Sequence, residues 1–155
     1  MKRRPWLVPE TPYLENTTEV RVRFQEVDAL RVVWHGHYLT YFEEGRVAFG
    51  REYGLGYQDM LDAGYAAPLV HVELDFHAPA RMDDVVTIQT RLHEADTATV
   101  PFTYRILGGQ GELLCTGFSV QVFTDLGGEL SLTQPQFFAD FLDRNSDHRV
   151  EVSGR

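Results

Sequence analysis

The segment from Phe24 to Tyr38 contains the residues best suited to chemistry in this chain. Asp28 stands seven residues before the pair His35-Gly36, and that pair lies where a helix is predicted to begin. A helix start has unpaired backbone N–H groups and a partial positive charge, which together can polarise a carbonyl group. Acyl transfer needs such a donor for the developing oxyanion, and a base or nucleophile to begin the attack. The segment therefore suits attack on a thioester carbonyl.

A purely structural interpretation of the same residues is also open. An Asp and a His at this spacing occur in many loops, and Asp28 could cap a turn while His35 packs beneath a sheet. Spacing alone does not distinguish the two interpretations.

The elements on either side must position this segment. Before it, alternating apolar and polar residues predict a half-buried strand over residues 17–24, with Phe24 on the apolar face. After it, an apolar stripe from Tyr38 to Tyr53 predicts a long helix that ends at Gly54. The functional segment is thus predicted to be the loop between a strand and a helix.

The rest of the chain is predicted to be mostly strand. A short helical piece is expected around residues 57–63, and Thr133–Gln136 has the form of a capping box, which predicts a further helix. The tail from Arg144 onward is predicted to be frayed. Apolar alternation predicts four strands, over residues 70–76, 86–92, 100–107 and 113–123, with a glycine-rich hairpin turn at 108–111 between the last two. One strand, one long helix and four strands predict an α+β fold, with an antiparallel sheet wrapped round the helix.

Composition excludes several classes of protein. A chain of 155 residues has room for one core, so residues 1–155 are predicted to form a single domain, with its core at about 17–125 and a short helix at about 134–143. The net charge of −9 argues against a nucleic-acid partner. No run of eighteen apolar residues exists to cross a membrane, and the apolar run near the N-terminus is too short for export. The single cysteine, Cys115, fits a reducing compartment, so a cytoplasmic location is expected.

A family resemblance favours the chemical interpretation. Residues 20–46 resemble the signature of the hotdog-fold 4-hydroxybenzoyl-CoA thioesterase-like family, and residues 74–84 resemble its second sheet segment, so that the likeness covers roughly 17–125. The stretches that carry it are Asp28-Ala29, Val32-Val33-Trp34-His35-Gly36-His37-Tyr38, Tyr41-Phe42-Glu43-Glu44-Gly45-Arg46, Leu74-Asp75-Phe76-His77-Ala78-Pro79-Ala80-Arg81 and Asp83-Asp84. The resemblance implies a hotdog fold and an acyl-CoA thioesterase.

The resemblance also implies roles for individual residues. Asp28 matches the catalytic aspartate, which acts as nucleophile or general base. His35 matches the position whose helix-start N–H faces the carbonyl, so its imidazole can be dispensable. Tyr38 matches a tyrosine one turn into the helix, where a role in orienting substrate and simple packing are equally open. Two departures from the family stand out: Leu30-Arg31 replaces glycines, and His37 replaces a common asparagine.

Three residues are further candidates for substrate binding. Gly36 and His37 belong to the helix start, and Glu43 lies beside the buried stripe of the helix, where it could contact the site or an adjacent subunit. Some relatives carry the working carboxylate on the helix, which makes Glu43 and Glu44 alternatives to Asp28. Arg46 and Arg81 are weak candidates for binding coenzyme A phosphates. No metal and no cofactor are expected, because coenzyme A is part of the substrate.

Other functions remain open at this stage. An acyl-carrier-protein thioesterase, a non-catalytic acyl-thioester binding module and a hotdog dehydratase would all use the same fold. A dehydratase needs an acid further along the helix, where Phe49 and Arg51 stand. Because relatives pair their sheets across a two-fold axis, a homodimer or homotetramer is expected.

Overall fold

The chain folds as one antiparallel sheet with a long helix on one face. This computed structural model describes residues 6–153, so residues 1–5, part of the segment used to predict the absence of an export signal, lie outside it. Five strands form the sheet in the order β1-β4-β5-β6-β3: β1 Tyr13–Arg21, β3 Leu69–Phe76, β4 Val85–His93, β5 Thr99–Leu107 and β6 Leu113–Val122. A separate pair joins β2 Tyr65–Ala66 to β7 Thr124–Asp125. The helices are α1 His37–Tyr53, α2 Tyr57–Asp62 and α3 Gln136–Arg144. Within residues 6–153, none of these helices has the length and apolar character needed to cross a bilayer.

Helix α1 forms where its apolar stripe predicted it. Tyr38, Phe42 and Phe49 are buried on the face that meets the sheet, and Gly54 ends the helix in the left-handed conformation at φ +78°. Gly45 allows close packing, because a Cβ atom there would lie 2.2 Å from Oγ1 of Thr90 in β4. Helix α1 therefore lies mainly across the half of the sheet formed by β1 and β4. The α+β prediction is confirmed.

Strand β3 is an edge strand whose apolar face has no cover. Its helix-side residues follow the predicted alternation, since Leu74 pairs with Gly117 and the Phe76 ring lies 5.3 Å from that of Tyr38. Nevertheless Val70, Val72 and Phe76 remain 38%, 36% and 53% exposed. Helix α1 is too far towards β1 and β4 to bury them. An apolar sheet face next to a free edge is the kind of surface that another chain covers.

Three local predictions were wrong. Strand β1 runs from Tyr13 to Arg21, and Phe24 is 78% exposed in a 3-10 turn, because the chain leaves the sheet earlier than the alternation suggested. The predicted capping box of α3 is absent: Pro135 is the N-cap, and no side chain caps the helix. The C-terminal segment is not frayed as far as residue 150, since the backbone groups of Val150 and Tyr13 exchange hydrogen bonds of 2.8 and 3.1 Å.

His93 should make stability depend on pH. Its side chain is buried on the face of the sheet opposite α1, where Nε2 lies 2.7 Å from Oγ1 of Thr103. Burial lowers the pKa of His93, the Thr11 backbone opposes this effect, and the charge of Arg91 adds to it. Below its ordinary pKa of about 6.5 the unfolded chain takes up a proton more readily than the folded chain, so stability falls as the pH falls. Urea unfolding at pH 7.5 and 5.5 should show a smaller pH-dependent loss in His93→Gln than in the wild type. An equal loss in both proteins would contradict this assignment.

Candidate active site

The loop that carries Asp28 is a tight turn closed by its own backbone. The N–H of Asp28 donates to the carbonyl of Val32 at 2.9 Å, and the carbonyl of Asp28 accepts from the N–H of Arg31 at 2.9 Å. One carboxylate oxygen, Oδ1, accepts the N–H of Leu30 at 2.8 Å. Arg31 takes the left-handed conformation, at φ +62°, that glycine adopts most readily. The loop thus takes a path usual for glycine at Arg31, one of the two positions where the family resemblance implies glycines.

These contacts show that Asp28 does cap a turn, as the structural interpretation expected. The hydrogen bond at Oδ1 fixes the carboxylate and leaves Oδ2 available to a ligand. Capping and catalysis are therefore compatible here, because the turn orients the carboxylate without using both of its oxygens.

A buried carboxylate that sequence reasoning missed anchors the loop to α1. Glu26 is only 5% exposed, and its Oε1 accepts the hydroxyl of Tyr41 at 3.1 Å and the N–H of Arg23 at 2.8 Å. The carbonyl of Glu26 accepts the N–H of Trp34 at 2.9 Å. Burial, followed by the charge of Glu26, raises the pKa of Tyr41, which therefore stays a hydrogen-bond donor. The only sequence signal was an acidic residue two positions before Asp28, and such a residue is common in loops.

Helix α1 starts at His37, directly after the pair His35-Gly36, and Gly36 is its N-cap, as the sequence predicted. The N–H of His37 donates to the carbonyl of Trp34 at 2.9 Å, and the N–H of Tyr38 donates to that of His35 at 3.4 Å. The N–H groups of His35 and Gly36 make no backbone hydrogen bond within the part of the chain that the structure describes. Two adjacent peptide N–H groups at the electropositive helix end are thus available to an acceptor.

Gly36 lets an indole pack against this helix start. A Cβ atom on Gly36 would lie 2.0 Å from Cζ3 of Trp34, whose ring centroid is 4.7 Å from that of His35 and 5.6 Å from that of His37. Any side chain at position 36 must therefore displace Trp34 or the helix start itself. The residue type at Gly36 is set by this close packing.

Gly36→Ala should consequently impair the site. Since a misplacement of about 1 Å can cost up to a hundredfold in rate, we expect kcat of the reaction at this site to fall about tenfold. The control is the same change in a Trp34→Ala background, where the clash is absent and the additional loss should be under about threefold. Equal losses in the two backgrounds would show that the indole contact is irrelevant.

One cavity of about 330 Å³ brings together the three residues predicted to be catalytic. Asp28, His35 and Tyr38 line it. Its other walls come from Val32 and Val33 of the loop and from Phe76, His77, Ala78 and Pro79 at the end of β3. Tyr38 is 3% exposed, and burial raises its pKa despite an opposing contribution from the Ala80 backbone. The walls of the cavity are mostly apolar, and its polar groups include the Asp28 carboxylate and the helix start at His35.

The candidates for substrate binding are less well placed. Gly36 and His37 flank the cavity without lining it, and Arg81 is exposed at the surface. The Glu43 carboxylate accepts the Tyr57 hydroxyl at 2.6 Å and is paired with Arg46, so it lies on the flank of α1 away from this cavity. Glu44 is exposed and faces a different depression beside β1. Neither helix carboxylate shares a wall with Asp28.

Cys115 is not suited to act as a nucleophile. Its side chain lies in the core, and burial raises the pKa of the thiol to about 12, with a smaller contribution from Asp75. A thiol with that pKa is almost entirely protonated near neutral pH. Cys115 is therefore excluded as the nucleophile of this region.

Comparisons with known proteins agree with the fold and show the family of the chain. Residues 22–142 match the family model of the thioesterase-like superfamily. The acyl-CoA thioesterase YbgC of Haemophilus influenzae is 31% identical over 110 residues, 70% of this chain and 79% of that protein. The structure of TT1821 from Thermus thermophilus superposes with a TM-score of 0.74 at 34% identity and covers 83% of this chain and 97% of that chain. DHNA-CoA thioesterase from Staphylococcus aureus gives a TM-score of 0.76 at 23% identity, covering 86% and 89% of the two chains, which shows a shared fold alone.

Proposed function

The chain belongs to the thioesterase-like superfamily, and on that premise we propose that it hydrolyses acyl-CoA thioesters with Asp28 as the catalytic carboxylate. The hotdog fold and thioester hydrolysis follow from the family. The observation that carries the finer proposal is the shared cavity of Asp28, His35 and Tyr38. The available N–H groups of His35 and Gly36 support it.

In the proposed reaction the helix start binds the thioester carbonyl oxygen. The N–H group of His35, in the wall of the cavity, donates to that oxygen, and the adjacent N–H group of Gly36, which flanks the cavity, donates from its edge. Together they stabilise the negative charge that develops on the oxygen. Asp28 either takes a proton from a water molecule that attacks the carbonyl carbon, or attacks that carbon directly to give an anhydride that water then cleaves. Collapse of the intermediate breaks the carbon–sulfur bond, and the thiolate takes up a proton. Water and thioester give a carboxylic acid and free CoA.

We also propose that the working form is at least a homodimer. The supporting observation is β3, which has a free backbone edge and an uncovered apolar face made by Val70, Val72 and Phe76. Because Phe76 also lines the catalytic cavity, a second copy that pairs along β3 would close that cavity on its open side. A dimer and a tetramer built from such dimers satisfy this argument equally.

Other parts of the proposal follow from the chemistry. The enzyme needs no cofactor, because CoA enters and leaves as part of the substrate. An acyl-carrier protein could present the same thioester, so carrier-protein substrates stay an alternative. A non-catalytic binding module is the second alternative, and a dehydratase is disfavoured because Phe49 and Arg51 supply no acid on α1. A cytoplasmic location remains a prediction.

A panel of acyl-CoAs, assayed by release of free thiol, tests the proposed function. Hydrolysis of at least one acyl-CoA, with kcat/KM of about 10⁴ M⁻¹s⁻¹ or higher, is expected of an enzyme acting on its own substrate class. Acyl-CoA binding without thiol release would instead favour the binding module. Release from an acyl-carrier protein but from no acyl-CoA would assign the carrier-protein reaction.

A further inference from the structure

The loop that carries Asp28 closes on itself at a neck formed by Glu26 and Trp34. The carbonyl of Glu26 accepts the Trp34 N–H at 2.9 Å. Beyond the neck, the N–H of Asp28 donates to the carbonyl of Val32 at 2.9 Å. Asp28 stands two residues from the neck on one strand of the loop, and His35 stands one residue from it on the other. The neck therefore helps to set the distance between the carboxylate and the N–H group of His35.

The sheet side of the loop is held by backbone contacts. The N–H of Val33 donates to the carbonyl of Ala80 at 2.8 Å. Val32 pairs with Arg81 in an antiparallel bridge. Ala80 and Arg81 belong to the segment that links β3 to β4, and Ala80 is fully buried. On this side the path of the main chain determines where the loop lies.

The helix side of the loop is held by the Glu26 side chain. Its Oε1 accepts the Tyr41 hydroxyl at 3.1 Å. Tyr41 is fully buried about one turn beyond His37, the first residue of α1, and its ring centroid lies 5.8 Å from that of Tyr38. Tyr38 lines the catalytic cavity. The hydrogen bond between Glu26 and Tyr41 thus connects the neck to the part of α1 that forms a wall of this cavity.

The chemistry of this contact suits placement better than it suits stability. Glu26 is buried, and the two groups that donate to its Oε1, the Tyr41 hydroxyl and the N–H of Arg23, are both neutral. Burying a carboxylate costs free energy that neutral donors offset only in part, and apolar side chains of similar shape are often as stable in its place. A hydrogen bond, however, fixes a distance and a direction between its two groups.

We propose that Glu26 and Tyr41 are positioning residues for the reaction at Asp28. Their hydrogen bond holds the neck against α1, so that the Asp28 carboxylate and the N–H group of His35 meet the same carbonyl group from fixed positions. Neither Glu26 nor Tyr41 lines the catalytic cavity, so both act through the groups that do. This inference rests on the proposed thioesterase function and adds two residues to those that the reaction needs.

Tyr41→Phe removes the hydroxyl and should lower kcat for acyl-CoA hydrolysis about tenfold, while KM changes less than twofold. Small displacements of the reacting groups cost up to about a hundredfold in rate, and a contact that acts only in the transition state lowers kcat without raising KM. The matched control is Tyr53→Phe. Tyr53 is the last residue of α1, and its hydroxyl donates to the carbonyl of Glu15 at 2.7 Å. This variant also loses a tyrosine hydrogen bond, but far from Asp28, and should keep kcat within about twofold.

A second background separates positioning from a general loss of stability. In Asp28→Asn the carboxylate is already gone, so a residue that acts through it has little left to contribute. Tyr41→Phe should then lower the residual kcat less than about threefold. A weakened fold would instead lower kcat by the same factor in both backgrounds. Glu26→Gln keeps a side-chain oxygen for the Tyr41 hydroxyl, so it should lower kcat less than Glu26→Leu, which keeps none.

The outcomes separate this inference from the function on which it rests. A kcat in Tyr41→Phe within twofold of the wild type, or an equal loss in Tyr53→Phe, would overturn the positioning role and leave the thioesterase intact. An equal loss from Tyr41→Phe in the wild-type and Asp28→Asn backgrounds would do the same. No hydrolysis of any acyl-CoA by the wild type would overturn both.

Discussion

Asp28→Asn should lower kcat for acyl-CoA hydrolysis at least a hundredfold while the fold is kept. The substitution is nearly isosteric, and the Asn side-chain oxygen can still accept the Leu30 N–H that Oδ1 accepts in the wild type. The turn therefore survives, and the variant loses only the negative charge and the ability to take up a proton. Loss of a general base typically costs a hundredfold to ten-thousandfold in rate. The measurement is thiol release under saturating acyl-CoA, together with thermal unfolding to show that the fold is unchanged.

Two helix carboxylates provide matched controls for this prediction. Glu44→Gln changes an exposed side chain that faces away from the cavity, so kcat should change less than about twofold, as is usual for surface substitutions. Glu43→Gln removes the partner of Arg46, so it should lower the free energy of unfolding while kcat changes little. A hundredfold loss in Glu43→Gln or Glu44→Gln with near-normal activity in Asp28→Asn would move the catalytic carboxylate to α1.

Val72→Lys should convert the protein to a monomer and lower its activity at least tenfold. Val72 is the central residue of the uncovered apolar face of β3, and a lysine at a two-fold interface would meet its own copy across the axis. Because Phe76 on the same strand lines the catalytic cavity, loss of the partner would leave that cavity open to water. Light scattering coupled to size-exclusion chromatography should report a mass near 17.7 kDa for the variant and twice that value or more for the wild type.

The neighbouring residue gives the control for that experiment. Glu73 lies on the same strand with its side chain on the opposite, polar face, so Glu73→Lys should leave the oligomer intact. If the wild type is itself monomeric and fully active, the dimer proposal fails. If Val72→Lys is monomeric and fully active, the claim that the partner completes the cavity fails.

Sequence patterns predicted the elements whose apolar residues recur with a regular period, and they missed the features that depend on single contacts. The stripe from Tyr38 to Tyr53 predicted α1 well, because burial on one face recurs with the helical period. The alternation in β3 correctly predicted which residues lie on each of its two faces. The pattern of a single strand does not show whether another element covers the apolar face. The end of β1 and the docked tail depend on individual hydrogen bonds, such as that between Tyr13 and Val150, which have no periodic signal.

The candidate site shows the same division. A family resemblance and a plausible spacing identified Asp28, His35 and Tyr38, which share one cavity. The anchor formed by Glu26 and Tyr41 was missed, because its partners are fifteen residues apart and the contact requires the loop to fold back onto the helix. Glu43 was a candidate for contact with the site or with an adjacent subunit because it adjoins the buried stripe, and its ion pair with Arg46 holds it away from the cavity of Asp28.

The most direct test is the structure of the protein bound to an unreactive analogue of acyl-CoA, such as one with a thioether-linked ketone in place of the thioester. The account predicts that the analogue's carbonyl oxygen lies about 2.7–3.1 Å from the N–H groups of His35 and Gly36. It also predicts an Asp28 oxygen about 3–3.5 Å from the carbonyl carbon, or bonded to a water at that distance. A carbonyl bound away from the start of α1, with the Asp28 carboxylate facing solvent, would contradict it.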